Sequence, residues 1–302
     1  MIRRGSIPWI ALLLLALTIA GCRWSPPPPR LLASTTGAPL AIDDARAERV
    51  LETYLDLIEG RRALRGSARV ALSGPDFKLN RPQRVIVERP ARLRFEILGL
   101  FDQLAAVLVT DGRRFGFFDA ASGQISRGPV SAHLLWDLAK IDLSPEEAVG
   151  LLLGTPEPVP GLARSAVWLE PDGRIALAFA WPLEQWPGHC EADLRRGLVQ
   201  RDCFVAEAAL AGGGEVFFFD EGARLVELRS LESDGLVRFL VLFEQYEALE
   251  GGSGMVFPKR VTIRSPSAGS EARFDWKRVM LASELSDRLF RLPEQRNSGR
   301  GD

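Results

Sequence analysis

The 302-residue chain has little of the chemistry that most enzymes need. It contains two histidines and three cysteines, with no CxxC pair. That leaves no ligand set at structural-zinc spacing. HExxH, GxSxG and phosphate-loop patterns are also missing. Gly212-Gly213-Gly214 and Gly251-Gly252-Ser253-Gly254 lack the lysine and helix pattern of a phosphate cradle and read as turns. His133 and His189 lie far apart with no nucleophile in register, which suits structural or exposed roles better than general-base work. The chain is therefore read as a non-enzyme, with no catalytic residue and no metal. Charge of one sign is lacking too: 38 basic and 39 acidic residues leave a net charge of -1. No excess positive charge exists to neutralise phosphates, so nucleic acid is not an expected partner. Only four of the basic residues are lysine, at 78, 140, 259 and 277. The scattered arginines read as a codon-composition bias rather than a phosphate-binding set. With 46% apolar and 25% charged residues the chain is one that folds, which excludes global disorder.

What is present starts at the N-terminus. Arg3 and Arg4 precede an apolar core at residues 10–20, too short to span a bilayer and of the size of a secretory signal. Ile19-Ala20-Gly21-Cys22 then resembles the lipobox of bacterial lipoproteins. The resemblance implies cleavage after residues 1–22 have been recognised, with Cys22 kept as the acylated first residue. That covalent lipid is the only non-protein group expected, and no cofactor is. Several acyl chains anchor stably, because each buried methylene contributes about 0.8 kcal/mol. Arg23, where an aspartate would favour inner-membrane retention under the enterobacterial sorting rule, points to the outer membrane. Residues 23–42 include Pro26-Pro27-Pro28-Pro29 and read as an extended tether. Cys190 and Cys203 remain, and a disulfide closing that short loop is the first reading in a compartment that permits one; it would contribute about 3 kcal/mol.

Residues 43–59 carry apolar positions at helical spacing, with Asp43 or Asp44 as cap and Gly60 as a stop. Strand-like segments follow at 67–72, 83–88, 92–98, 103–109, 114–119 and 124–127, with short links that favour antiparallel neighbours. Residues 131–140 and 144–153 interrupt them as helices. The second opens on Ser144-Pro145-Glu146-Glu147, a capping box with proline in the first turn, where a helix also welcomes negative charge; Gly154 can close it. Strands resume at 165–170, 174–180, 214–219, 224–230, 236–246, 259–264 and 271–278. Pro171-Asp172-Gly173 marks a hairpin turn. Residues 181–213, which hold the cysteine pair, read as an insertion, and 294–302 as a disordered tail. Some eleven to thirteen strands with one early and two mid-chain helices predict an α+β chain dominated by one curved antiparallel sheet.

Three strand segments are apolar at successive positions: 104–109, 216–219 and 239–243. A sheet with one wet face should alternate. Either these strands form a plain core, or helices lie as a lid over an apolar cavity that holds acyl chains.

Residues 92–103, RLRFEILGLFDQ, resemble a strand–apolar loop–strand segment of the LolA/LolB lipoprotein-localisation family. The hairpin ending near Gly128, the helix at 131–140 and the helix ending at Gly154 follow in that family's order. Residues 257–263 and 287–293 resemble its closing strand and tail. The resemblance spans residues 43–293. It implies an unclosed β-barrel with helices covering an apolar cavity, and a role in receiving lipoproteins at the outer membrane. Cys22 favours the lipid-anchored, receptor-like side, facing the periplasm. The implied partners are acylated lipoproteins or lipids, a soluble LolA-like periplasmic carrier, and the membrane reached through the lipid anchor. The implied membrane-inserting loop comprises Leu98, Leu100 and Phe101, with packing under the barrel rim as the other reading for its side chains. Expected cavity-lining residues are Phe95, Val107, Trp136, Leu151 and Leu152. The chain departs from the family in its greater length and in its 181–213 segment.

Overall fold

The computed structural model describes residues 37–99, 101–139, 141–181, 213–232, 236–249 and 254–292. The chain opens with β1 (Ala38–Leu40) and α1 (Ala45–Gly60). A meander follows: β2 (Ala63–Gly74), β3 (Phe77–Glu88), β4 (Arg92–Leu98), β5 (Leu104–Asp111), β6 (Arg114–Asp119) and β7 (Ile125–Pro129). Two short helices, α2 (Leu134–Ala139) and α3 (Pro145–Leu152), lead into a second meander. It comprises β8 (Ala163–Leu169), β9 (Ile175–Ala180), β10 (Gly214–Phe219), β11 (Leu225–Leu231), β12 (Val237–Ala248), β13 (Val256–Ser265) and β14 (Ser270–Ala282). A 3₁₀ turn, Asp287–Phe290, comes last.

All fourteen described strands form one antiparallel sheet in the order β1-β8-β9-β10-β11-β12-β13-β14-β2-β3-β4-β5-β6-β7. The meanders meet where β14 pairs with β2, and β1 and β7 are left as edges, so the barrel is unclosed. This order dictates where the helices go. The chain leaves β7 at one edge and must reach β8, beside the other edge, and that crossing carries α2 and α3 over a face of the sheet. The helix α1 makes the other long crossing, from β1 at the edge to β2 at the centre. The fold is thus the α+β antiparallel sheet that the sequence pattern predicts, in the unclosed barrel that the family resemblance implies.

Local chemistry explains most element ends. Asp44 caps α1, its carboxylate accepting the Arg46 N–H at 2.9 Å. Ser144 and Glu147 form the predicted reciprocal capping box on α3. Gly154 adopts φ +68° just past α3, the left-handed cap that a Cβ would strain. β3 is longer than its pattern predicts because it continues through Pro82. β2 pairs along all of β3, but β4 pairs only from Gln83 onward, so proline's missing N–H falls where β3 has one neighbour. β1 lies within the expected tether: Ala38–Leu40 add an edge strand against Val167–Leu169 of β8. Three residues carry no strand pattern of their own, so β1 exists through its partner.

The main core lies between the sheet and the helices. Tyr54 of α1 meets Phe217 and Phe219 of β10 edge-on, with centroids 6.2 and 4.9 Å apart. Every residue of β9 and β10 is buried, as the expected two-sided cover requires. On the outer side of these strands Trp168, Ala176, Ala178, Val216 and Phe218 form a second cluster. β12 behaves differently: Val237, Phe239, Val241 and Phe243 are buried, while Leu240 and Leu242 are only half-buried. Its apolar run is an alternating strand with leucines on the wetter face. Gly66 sits opposite the β14 bulge, where a Cβ would come within 2.6 Å of the Arg278 carbonyl oxygen. No helix among the described residues is long and apolar enough to cross a membrane.

Candidate functional site

An apolar cavity of about 260 Å³ lies between the first meander and the α2–α3 crossing. Its floor is built by strand register. Phe95 of β4 pairs with Leu108 of β5, which pairs with Phe117 of β6, so the three side chains share one face. Ile97 follows Phe95 two residues on, and Val70 and Leu72 of β2 repeat that spacing. Phe274 of β14 closes the floor, its ring 6.2 Å from that of Phe95. The lid consists of Leu135 from α2, Ile141 and Leu143 from the link, and Ala148 and Leu152 from α3. Ala148 and Leu152 are four apart and so lie on one helical face. Among the described residues, Gln83 is the one polar side chain in the lining and no ionisable residue takes part. A space with this lining offers no partner for a charge and favours hydrocarbon.

The loop between β4 and β5 starts after Leu98, one residue past Ile97 of the cavity wall. It is closed by Gly99 N–H donating to the Gln103 carbonyl at 2.7 Å and by Phe101 N–H donating to Gln103 Oε1 at 2.8 Å. Asp102 takes φ +58° to complete the reversal. Phe101 is left 90% exposed.

The expected site residues separate. Phe95 and Leu152 line the apolar cavity. Leu151 points one helical step away and lines a second cavity, of mixed charged and apolar lining. Val107 is buried but lies on the opposite face of β5 from Leu108, so it is not part of the lining. Trp136 is half-buried on α2, beside Leu135, which does line it. Leu98 is 7% exposed, packed into the fold rather than presented to a membrane. Leu100, Cys22, Cys190, Cys203 and the 294–302 tail lie outside the described residues, as does all of the 181–213 segment except its flanking residues 181 and 213. The residues that sequence reasoning missed (Leu72, Ile97, Leu108, Phe117, Ile263 and Phe274) share the parity of Phe95 across paired strands. Alternation around Phe95 carried that signal for Ile97 alone.

The second cavity, about 360 Å³, lies on the other side of α3. Ser144, Glu147 and Leu151 face it, together with residues 156–160, Glu215 of β10, Leu228 of β11, and Arg238 and Phe239 of β12. Glu215 is 3% exposed and its carboxyl is pushed up to about 7. Burial is the main cause and the Glu147 charge adds to it; the Val159 N–H, donating to Oε2 at 2.9 Å, and the Arg238 charge oppose it. Tyr54, buried under α1, donates to the Pro156 carbonyl at 2.7 Å, and burial raises its hydroxyl well above the usual range. Arg61 is buried with no carboxylate beside it among the described residues. It donates to the Leu153 carbonyl at 3.4 Å and the Val256 carbonyl at 2.5 Å, and burial lowers its pKa. It therefore ties the end of α3 to the start of β13. No group of three or more metal-ligating side chains occurs among the described residues.

No family model and no curated protein matches the chain. Solved structures do. A LolA superfamily protein from Nitrosomonas europaea is 12% identical, over 80% of this chain and 97% of that one, with a TM-score of 0.47. A DUF1329 family protein from Desulfovibrio piger is 10% identical, over 81% and 96%, with a TM-score of 0.49. The chain resembles LolA-like proteins. A proposed outer membrane lipoprotein-sorting domain from Vibrio parahaemolyticus is 9% identical, over 83% and 97%, with a TM-score of 0.44.

Proposed function

We propose that this chain is a lipid-anchored protein of the outer membrane, facing the periplasm, that binds acyl chains and receives or inserts lipoproteins or lipids there. The observation that carries the reading is the cavity under α2 and α3, walled by aliphatic and aromatic side chains with Gln83 alone as a polar member among the described residues. The lipobox-like Cys22 supports the anchor, and the LolA-like sequence pattern of residues 92–103 supports the lipoprotein cargo and a soluble LolA-like carrier as donor. Transfer is passive. An acyl chain moves from one apolar cavity into another, and no covalent step is needed. In this reading Phe101, exposed on the loop after Leu98, enters the membrane surface beside the departing chain; its exposure supports that role. The same exposed side chain favours a second reading, a non-catalytic envelope scaffold that docks a protein partner through this loop.

The test is titration of the chain without residues 1–22 with fluorescent fatty-acyl probes of increasing length. Each two added methylenes should tighten binding about 15-fold, from about 0.8 kcal/mol per methylene, until the cavity is full. Phe95→Gln should weaken binding at least about tenfold, because it places an unpaired amide in the wall. A folded protein that shows no chain-length dependence, or a Phe95→Gln variant that binds as the parent does, would remove this reading and leave the scaffold.

A further inference from the structure

The cavity behind α3 carries charged side chains that the first cavity lacks. Four glutamates (146, 147, 157 and 215) and two arginines (89 and 238) line it. The arginines are already matched. Arg238 pairs with Glu147, whose other carboxylate oxygen accepts the Ser144 N–H in the capping box. Arg89 pairs with Glu157 and also donates to the Thr155 carbonyl. Two carboxylates are left over, Glu146 at the rim on the first turn of α3 and Glu215 in the wall. Glu215 is 3% exposed, and its Oε2 is taken by the Val159 N–H. Its Oε1 receives no hydrogen bond among the described residues and faces the cavity. A donor that enters the cavity can reach that oxygen.

We propose that this cavity binds a primary ammonium group on an unphosphorylated aliphatic stem, the group a lysine side chain carries, with Glu215 Oε1 as its principal acceptor. The free oxygen favours this ligand. The parallel fork of a guanidinium would have to share Oε2 with the Val159 N–H, whereas an ammonium directs its three N–H bonds to separate acceptors and can use Oε1 alone. Leu151, Leu228 and Phe239 provide apolar contact for the stem. The excess of carboxylate over guanidinium repels a phosphate, which disfavours an aminophospholipid headgroup as the source of the amine.

The site is separate from the acyl cavity because α3 stands between them, with Ala148 and Leu152 on one side and Glu147 and Leu151 on the other. The charged groups facing Glu215 are Glu147 from α3 and Arg238 from β12, which pair with each other. Ionisation of Glu215 near neutral pH then makes ammonium binding stronger at pH 8 than at pH 6.

The test is calorimetric titration of the full chain in maltoside micelles with Nα-acetyl-lysine methylamide, with phosphoethanolamine and an N-butylguanidinium salt as comparison probes. The expected result is saturable one-to-one binding of the lysine probe at pH 8. That binding should fall at least tenfold in Glu215→Gln, fall about tenfold at pH 6, and stay unchanged in Phe95→Gln. Glutamine keeps an acceptor for the Val159 N–H, and circular dichroism checks that the variant folds. No saturable binding of the lysine probe by the folded parent at pH 8 would overturn the proposal, as would equal binding by Glu215→Gln. Tighter binding of either comparison probe would overturn the assignment to an unphosphorylated ammonium. Acyl-probe titration of the same samples reads the other cavity, so the two proposals fail separately.

Discussion

Replacing Glu215 with glutamine should remove a pH dependence of stability centred near neutrality. The carboxyl has a pKa of about 7 in the folded chain against an ordinary value of 4.5. Its burial on β10 is the main reason, with the Glu147 charge adding to it. The folded chain therefore holds this proton more tightly than the unfolded chain does. The stability this contributes is fully present below about pH 4.5 and is lost as pH rises through about 7. The difference of about 2.5 pKa units corresponds to about 3 kcal/mol at 1.36 kcal/mol per unit. Glutamine approximates the protonated side chain and does not titrate. The variant should match the parent near pH 4 and exceed it by about 3 kcal/mol at pH 8. For a chain of this size that corresponds to a rise in Tm of about 6–12 °C. Calorimetric or urea unfolding of both proteins from pH 4 to 9 measures it, and other titrating groups cancel in the difference. A difference between variant and parent that stays constant across that range would refute the reasoning, because Glu215 would then not be a buried carboxyl titrating near neutral pH.

The remaining predictions are more local. Arg61→Ala leaves the Leu153 and Val256 carbonyls without their buried donor and opens a gap beside Phe257, so urea unfolding should show a loss of about 3 kcal/mol; a loss under about 1 kcal/mol would mean that water replaces the guanidinium freely. Gly66→Ala pushes a methyl against the Arg278 carbonyl and the Trp276 ring, at 2.6 and 2.8 Å, and should cost about 1–3 kcal/mol, with a change in tryptophan fluorescence as the local report. Phe101→Ser should leave stability within about 0.5 kcal/mol, since the ring is exposed, yet reduce delivery of acylated cargo to liposomes. Unchanged delivery would detach the loop from the proposed transfer.

The elements that were legible in the sequence are those whose causes are local. The α3 capping box needs only Ser144 and Glu147 three residues apart, and it forms as read. The α1 face Ala47, Val50, Tyr54 and Ile58 follows from helical spacing, and the β8–β9 turn follows from Pro171-Asp172-Gly173. The failures share a different origin. Leu151 and Leu152 are both apolar, and one residue of helical rotation puts them in different cavities. Val107 and Leu108 are equally strand-like, and only the pairing of Leu108 with Phe95 decides which of them faces the lid. Glu215 stands at the head of an apolar strand with no local mark of its role, and β9, β11 and residues 156–160 bury it.

The sequence by itself determined the helix starts, the hairpin turns, the antiparallel class and the apolar surplus that calls for cover on both faces of some strands, because caps, turns and side-chain periods act over a few residues. It also carries the signal-like N-terminus that ends in Cys22. The tertiary structure alone decided which strand faces share a cavity, that α3 divides an apolar space from one of mixed charged and apolar lining, and that one glutamate keeps a free oxygen in a buried wall. Those outcomes depend on the register between strands far apart in the chain and on the crossing from β7 to β8, and no short-range pattern encodes either.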